Sequence, residues 1–301
     1  MNPISRPRIP NEIPKDRCEN LTGLVTRVPN ANPTFSGGYA DVYIGYYAKD
    51  SNTNIKVAIK VLRLIKDDPR IQKVKTHLIR ETVVWTSLNH PNILGFFGLA
   101  DDVGRHGCPA LISPFCDNGV VMSYLKTHPD HNTRLRMMAG IADGLQYLHS
   151  LEEKIIHGDL KPTNILVSHS GRPLLCDFGR SQITTHAGFT TRASGAVRYQ
   201  APELFVNADT KYDEAVDVYA FGITCTEIWT DTMPYPDLKI DPAVVIHVHL
   251  GGARPPCPTP ATEMTKLLWT CFERCWKQAP RERLSMDGIV QFFRGIGNPS
   301  Q

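Results

Sequence analysis

The chain has 301 residues, 42% hydrophobic and 21% charged, with 33 Lys and Arg against 30 Asp and Glu for a net charge of +3. So even a balance leaves no basic footprint for nucleic acid or for an anionic membrane surface. No apolar run reaches the roughly 18 residues a membrane-spanning helix needs, and the opening MNPISRPRIPNEIPKDR has neither the apolar core of a signal peptide nor a glycine after Met1. A soluble cytoplasmic protein without membrane insertion is expected. The eight cysteines, Cys18 to Cys275, form no C-x-x-C pair and read as reduced thiols. Cys271 and Cys275 lie one helical turn apart and are expected to pack a helix, with no metal between them.

In chain order, residues 1–18 carry Pro3, Pro7, Pro10 and Pro14 among polar residues and read as a flexible arm. LTGLVTRV, then YADVYIGYY with apolar residues at alternate positions, then IKVAIKVL, read as strands. A helix is predicted from about Asp68 to Leu88, stopped by Asn89-His90-Pro91-Asn92, and NILGFFGLA and PALISPF read as two more strands. From Val120 onward helices dominate. RLRMMAGIADGLQYLH sets Met137, Ile141, Leu145 and Leu148 at helical spacing, and DEAVDVYAFGITCTEIW and TKLLWTCFERCW are two further apolar-rich helices. Strands first and helices second imply two lobes joined near Phe115–Gly119.

The chemistry is concentrated in IIHGDLKPTNILV and the following LLCDFGR. Phosphoryl transfer from a metal–nucleotide needs a carboxylate to take the proton of the attacking hydroxyl, a cation near the moving group and oxygen ligands for magnesium. Asp159 suits the first role and Lys161 the second. Asn164 and Asp177 offer the hard oxygen donors that Mg2+ prefers.

HGDLKPTN, CDFG and APEL, in that order, resemble the catalytic loop, D-F-G motif and activation-segment close of the eukaryotic protein kinases, and the resemblance runs from about residue 21 to 295. It implies an α+β bilobal fold, with a small mainly β N-lobe holding one αC helix and a larger mainly α C-lobe. The limits it implies are an arm at 1–18, a kinase domain at 19–295 and a short tail at 296–301. Within the domain the N-lobe spans about 19–115, the hinge 114–119 and the C-lobe 120–295. ATP, Mg2+ and a protein substrate follow from the resemblance, and nucleic acid does not. Lys60 of KVAIK would meet the α- and β-phosphates, with Glu81 as its carboxylate partner. Nucleotide contacts would come from Gly37, Gly38, Val42, Ala58, Lys60, Ser113, Pro114, Cys116 and Leu166, with Ser113 at the back of the adenine pocket. Asp217 matches the acid that supports the catalytic loop, and Arg283 in CWKQAPRERLS is expected to pair with Glu203. KPTNILV and DVYAFGITCTEIW are most similar to the tyrosine-kinase-like group of serine/threonine kinases. The opening LTGLVTRV, SGGYADVYIG and LNHPNILGFFG resemble the versions found in mushroom-forming fungi.

The sequence also departs from that family. Against G-x-G-x-x-G-x-V anchored on Val42, Phe35 and Ala40 replace the first and third glycines, and Gly37 is kept with Gly38 beside it. Gly158 stands where the family's H-R-D has arginine, and Ala196 where a threonine is usual. Without that arginine, a phosphate at Thr184, Thr185, Thr190, Thr191 or Ser194 is not expected to be an obligatory switch unless Arg180 or Arg192 takes its place. Lys161 favours serine or threonine as acceptor. An ATP-binding pseudokinase acting as an interaction module, and a tyrosine or dual-specificity kinase, are the alternatives.

Overall fold

The computed structural model describes residues 18–36, 40–63, 71–105, 108–178, 182–183, 197–206 and 213–297. They fall into two compact units, one of residues up to 89 together with 93–117, the other of residues 90–92 and those from 118 onward.

The first unit is strand-rich: β1 Val25–Arg27, β2 Phe35–Ser36, β3 Ala40–Ala48, β4 Asn54–Leu62, α1 Ile71–Thr86, β5 Gly98–Arg105 and β6 Cys108–Pro114. The sheet is antiparallel in the order β1-β3-β4-β6-β5, with β2 also on β3. Alternation on β3 and β4 sends Tyr43, Tyr47, Val57, Ile59 and Val61 into one core with Leu21, Ala110 and Ile112. Residues 19–21 cover the free edge of β5, Leu21 N donating to Leu99 O at 2.7 Å and Leu99 N to Glu19 O at 2.9 Å.

Two expected strands are shorter or later than the sequence suggests. LTGLVTRV yields only Val25–Arg27, because Gly23 at φ +81° turns the chain and Leu24 N closes onto Leu21 O. The strand expected over NILGFFGLA starts at Gly98 and runs on to Arg105. Ahead of it Leu94 O accepts the Trp85 indole N–H at 2.6 Å and Phe96 stacks on that indole, so this apolar run serves α1. Gly98 sits at φ +148°, and a Cβ there would meet Glu19 O at 2.2 Å.

The second unit is helical: α2 Val121–Thr127, α3 His131–Ser150, α4 Glu203–Val206, α5 Glu214–Thr230, α6 Asp241–Val244, α7 Glu263–Cys275 and α8 Met286–Gly297, with a π-helical turn at Val245–Leu250. Short strands β7 Ile155–Ile156, β8 Ile165–Val167, β9 Pro173–Leu175 and β10 Gln182–Ile183 pair as β7 with β10 and β8 with β9. Asp130, Asp213 and Thr262 cap α3, α5 and α7 through side-chain oxygens. Helix α5 is apolar on nearly every side and packs against α3 and α7 as the centre of this unit. Cys271 and Cys275 are buried on α7, and among the described residues no cluster of His, Cys, Asp or Glu suits a metal ion. Among those residues no helix is long and apolar enough to cross a membrane.

One contact places the strand that leads to Asp177. Asn92 donates through Nδ2 to Pro173 O at 3.0 Å and accepts Leu175 N on its carbonyl at 2.9 Å, so β9 lies against α3. Gly140 of α3 makes room, since a Cβ there would meet Pro173 Cγ at 2.6 Å and Asn92 Nδ2 at 2.7 Å. Glycine inside a helix is about 1 kcal/mol worse than alanine, so Gly140→Ala would ordinarily stabilise. Here overpacking reverses the sign, and the variant is expected to lose about 1–3 kcal/mol in urea unfolding.

Candidate active site

In the helical unit the catalytic-loop residues sit between β7 and β8. Lys161 Nζ donates to Asp159 Oδ2 at 2.8 Å. Asn164 Nδ2 donates to the same oxygen at 3.0 Å and to Asp159 O at 2.8 Å. A 3-10 turn at Pro162–Asn164, with Pro162 pre-set for it, folds Asn164 back onto the aspartate. The β8–β9 hairpin then brings the chain to Asp177, whose φ of +66° is unusual for a residue with a Cβ. Asn164 spends its amide N–H on Asp159 and so presents its oxygen, which with the Asp177 carboxylate makes a donor set of the kind Mg2+ takes.

The loop hangs from Asp217, which is on the first turn of α5 and has no exposure to water. Its Oδ2 accepts His157 N–H at 2.8 Å and His149 Nε2–H at 2.9 Å, and its Oδ1 accepts Gly158 N–H at 2.8 Å. Gly158 adopts φ +73°, which turns successive N–H groups into an anion-binding hollow around that carboxylate. Burial alone would raise the Asp217 pKa, but the hydrogen bonds it accepts, from the His149 ring first and from the Gly158 backbone, outweigh it and hold the carboxyl below its ordinary value. His157 locks the other side: its Nε2–H donates to Cys176 O at 3.1 Å, its Nδ1 accepts Asp159 N–H at 3.3 Å, and its ring tilts against Phe178.

In the strand-rich unit Lys60 Nζ donates to Glu81 Oε1 at 2.5 Å, from β4 to the middle of α1. Glu81 is nearly buried, so the pair is a desolvated one. Trp85 is one turn further along α1, and its indole bond to Leu94 fixes the helix that carries Glu81. Val42 lies opposite Lys60, Ala58 opposite Ser113 and Val57 opposite Pro114. Cys116 follows half-buried, its thiol pushed up to about 11 by burial and the Asp117 charge. Leu166, in the helical unit, is on β8 beside Val120.

The structure thus brings together Lys60 with Glu81, and Asp159 with Lys161 and Asn164. Glu203 takes a two-pronged bond from Arg283, at 2.6 and 2.7 Å. Gly37, Gly38, Arg180, Thr184, Thr185, Thr190, Thr191, Arg192, Ser194 and Ala196 lie outside the described residues. Sequence reasoning missed His149 and Trp85. The first had a signal, a lone histidine ending the apolar face of GLQYLH, and the second had none beyond a tryptophan four residues after Glu81.

Both constellations are parts that phosphoryl transfer requires. The chain belongs to the protein tyrosine and serine/threonine kinases, whose family model matches residues 33–293, and its fold is the α+β bilobal protein kinase fold. It is 28% identical to a probable serine/threonine-protein kinase of Dictyostelium discoideum, over 87% of this chain and 30% of that one. It is also 28% identical to the serine/threonine/tyrosine-protein kinase HT1 of Arabidopsis thaliana, over 93% and 69%. To mitogen-activated protein kinase kinase kinase 13-A of Xenopus laevis it is 30% identical, over 74% and 22%. The chain spans 15–30% of the length of the first three curated relatives it matches.

Asp217→Asn replaces an acceptor facing three donors with a group that itself donates. Breaking such a buried pairing costs about 3–5 kcal/mol, so a fall of about 10 °C in the thermal midpoint is expected at pH 7, with kcat falling at least about tenfold. A depressed carboxyl contributes its stability above the unfolded pKa of about 3.9 and loses it as pH falls through the lower native value. The difference between wild type and variant should therefore narrow only below about pH 4, which thermal scans across pH will check.

Proposed function

We propose that the chain is an ATP- and Mg2+-dependent protein kinase domain that transfers the γ-phosphate to serine or threonine hydroxyls of protein substrates, with Asp159 as base. The observation that carries this is the hold of Lys161 and Asn164 on the Asp159 carboxylate, which aims one oxygen pair while the loop behind it is fixed to Asp217. The substrate hydroxyl oxygen bonds to the γ-phosphorus as the bridge to ADP breaks, and its proton passes to Asp159. Lys161 balances the charge that develops on the phosphoryl oxygens, and Lys60, steadied by Glu81, faces the α- and β-phosphates. Asn164 and Asp177 would hold magnesium, which when bound draws charge from the phosphate oxygens.

On the same reading Val42, Ala58 and Leu166 would contact the nucleotide, Ser113 would limit the back of the adenine pocket, and the backbone of Pro114 and Cys116 would bond the adenine edge. Gly37 and Gly38 would approach the phosphates. The kinase domain runs from 19 to 295, a span that contains the family match. We place it in the tyrosine-kinase-like group on the wording of KPTNILV and DVYAFGITCTEIW, near the enzymes of mushroom-forming fungi on LTGLVTRV, SGGYADVYIG and LNHPNILGFFG, and in the cytoplasm on eight cysteines with no C-x-x-C pair.

Asp159→Asn should keep the fold and the affinity for ATP while turnover falls by orders of magnitude, and Lys60→Met should impair both. Wild-type turnover from purified Asp159→Asn would remove Asp159 as base. The loss of two loop glycines favours a second reading, a nucleotide-binding pseudokinase. Thermal stabilisation by Mg-ATP without radiolabel transfer to a basic protein would select it.

For the acceptor, Lys161 favours phosphoserine and phosphothreonine. Mass spectrometry of the autophosphorylated protein should find them dominant. A preponderance of phosphotyrosine would instead align the chain with the dual-specificity name carried by HT1.

A further inference from the structure

Phe35 and Ala40 occupy two positions where glycine would let backbone approach a phosphate, and Phe35 is 57% exposed, so it does not anchor the strand by burial. Another group must hold this hairpin in shape. On β2 and β3, Phe35 pairs with Val42 and Ser36 with Asp41, and Thr34 N donates to Val42 O at 2.8 Å. On β3 and β4, Val42 pairs with Lys60 and Asp41 with Val61. Cross-strand partners share a face and neighbours alternate, so Val42 and Lys60 are on one face and Ser36, Asp41 and Arg63 on the other.

On that second face Asp41 is only 7% exposed. Its Oδ1 accepts Ser36 Oγ–H at 2.7 Å, Arg63 Nε–H at 2.8 Å and Arg63 Nη2–H at 2.6 Å. Arg63 is itself exposed, so this is an ion pair at the surface, and it ties β2, β3 and the end of β4 together at a single oxygen. Tyr43, two residues along β3, continues the grip, with Arg27 over its ring and Arg105 Nη2 donating to its hydroxyl at 3.1 Å.

We propose that Asp41 is a positioning residue for the nucleotide: with Ser36 and Arg63 it clamps the β2–β3 hairpin, so that the backbone beside Val42 and Lys60 is already set for the phosphates. This rests on the kinase reading above. The clamp is on the opposite face of the sheet from Lys60, so its loss weakens nucleotide binding and spares the chemical step.

Asp41→Asn should raise both the Kd for a fluorescent ATP analogue and the KM for ATP about tenfold, with kcat within about twofold of wild type. Arg63→Met should do the same, and the double variant should be no weaker than either alone, because both remove one interaction. Ser36→Ala, which deletes an exposed hydroxyl and leaves the ion pair, should cost about threefold in the same two measurements and serves if the charged variants do not fold. Nucleotide affinity within twofold of wild type in folded Asp41→Asn or in Ser36→Ala, additive effects in the double variant, or a fall in kcat at unchanged KM would each overturn the clamp. Wild-type protein that binds no nucleotide would overturn the kinase reading and the clamp with it, whereas wild-type binding with unaffected variants overturns the clamp alone.

Discussion

A carboxylate sealed from water cannot be tolerated without donors to meet it, and Asp217 recruits its donors from the catalytic loop itself. The backbone of His157 and Gly158 has one arrangement that satisfies it, and that arrangement sets where Asp159 begins. His149, from the last turn of α3, supplies the third donor, so two helices and one loop share a single charge. Helix α5 can host this charge because its own first turn is electropositive and the rest of it is apolar. The site is therefore held by the need to solvate one ion inside the core.

The strand-rich unit solves a similar problem with a pair. Glu81 is buried and Lys60 is partly exposed, so the lysine neutralises an acid that water barely reaches. Their separation depends on the depth at which α1 packs. The Trp85 indole sets that depth by a directional bond to Leu94, reinforced by stacking on Phe96. A branched aliphatic side chain at the same place would fill volume but fix no register along the helix.

Much of this could be read in the sequence, because motif residues sit close together along the chain. HGDLKPTN closes its contacts within six residues, so Asp159, Lys161 and Asn164 were legible as a group. Lys60 and Glu81 were legible because a strand and a helix with clear periodicities carry them. Asp41 was not, since its partners Ser36 and Arg63 come from different strands and exposed polar residues on a β-rich stretch read as a solvated face. The strand expected over NILGFFGLA was misplaced for a related reason: an apolar run signals burial but not whether its backbone pairs with a sheet or receives a tryptophan. Gly140 was silent as well, because only the three-dimensional proximity of Asn92 and Pro173 gives its missing side chain a purpose.

The half-buried thiol of Cys116 bears on how this protein can be targeted. With its pKa pushed up to about 11, the fraction present as thiolate near neutral pH is on the order of one part in ten thousand, and the thiolate is the reactive form. An electrophilic compound brought to this thiol would meet a neutral, slow sulfur. Labelling it calls for a warhead that does not need an activated thiol, and reagents built for acidic cysteines will react slowly here.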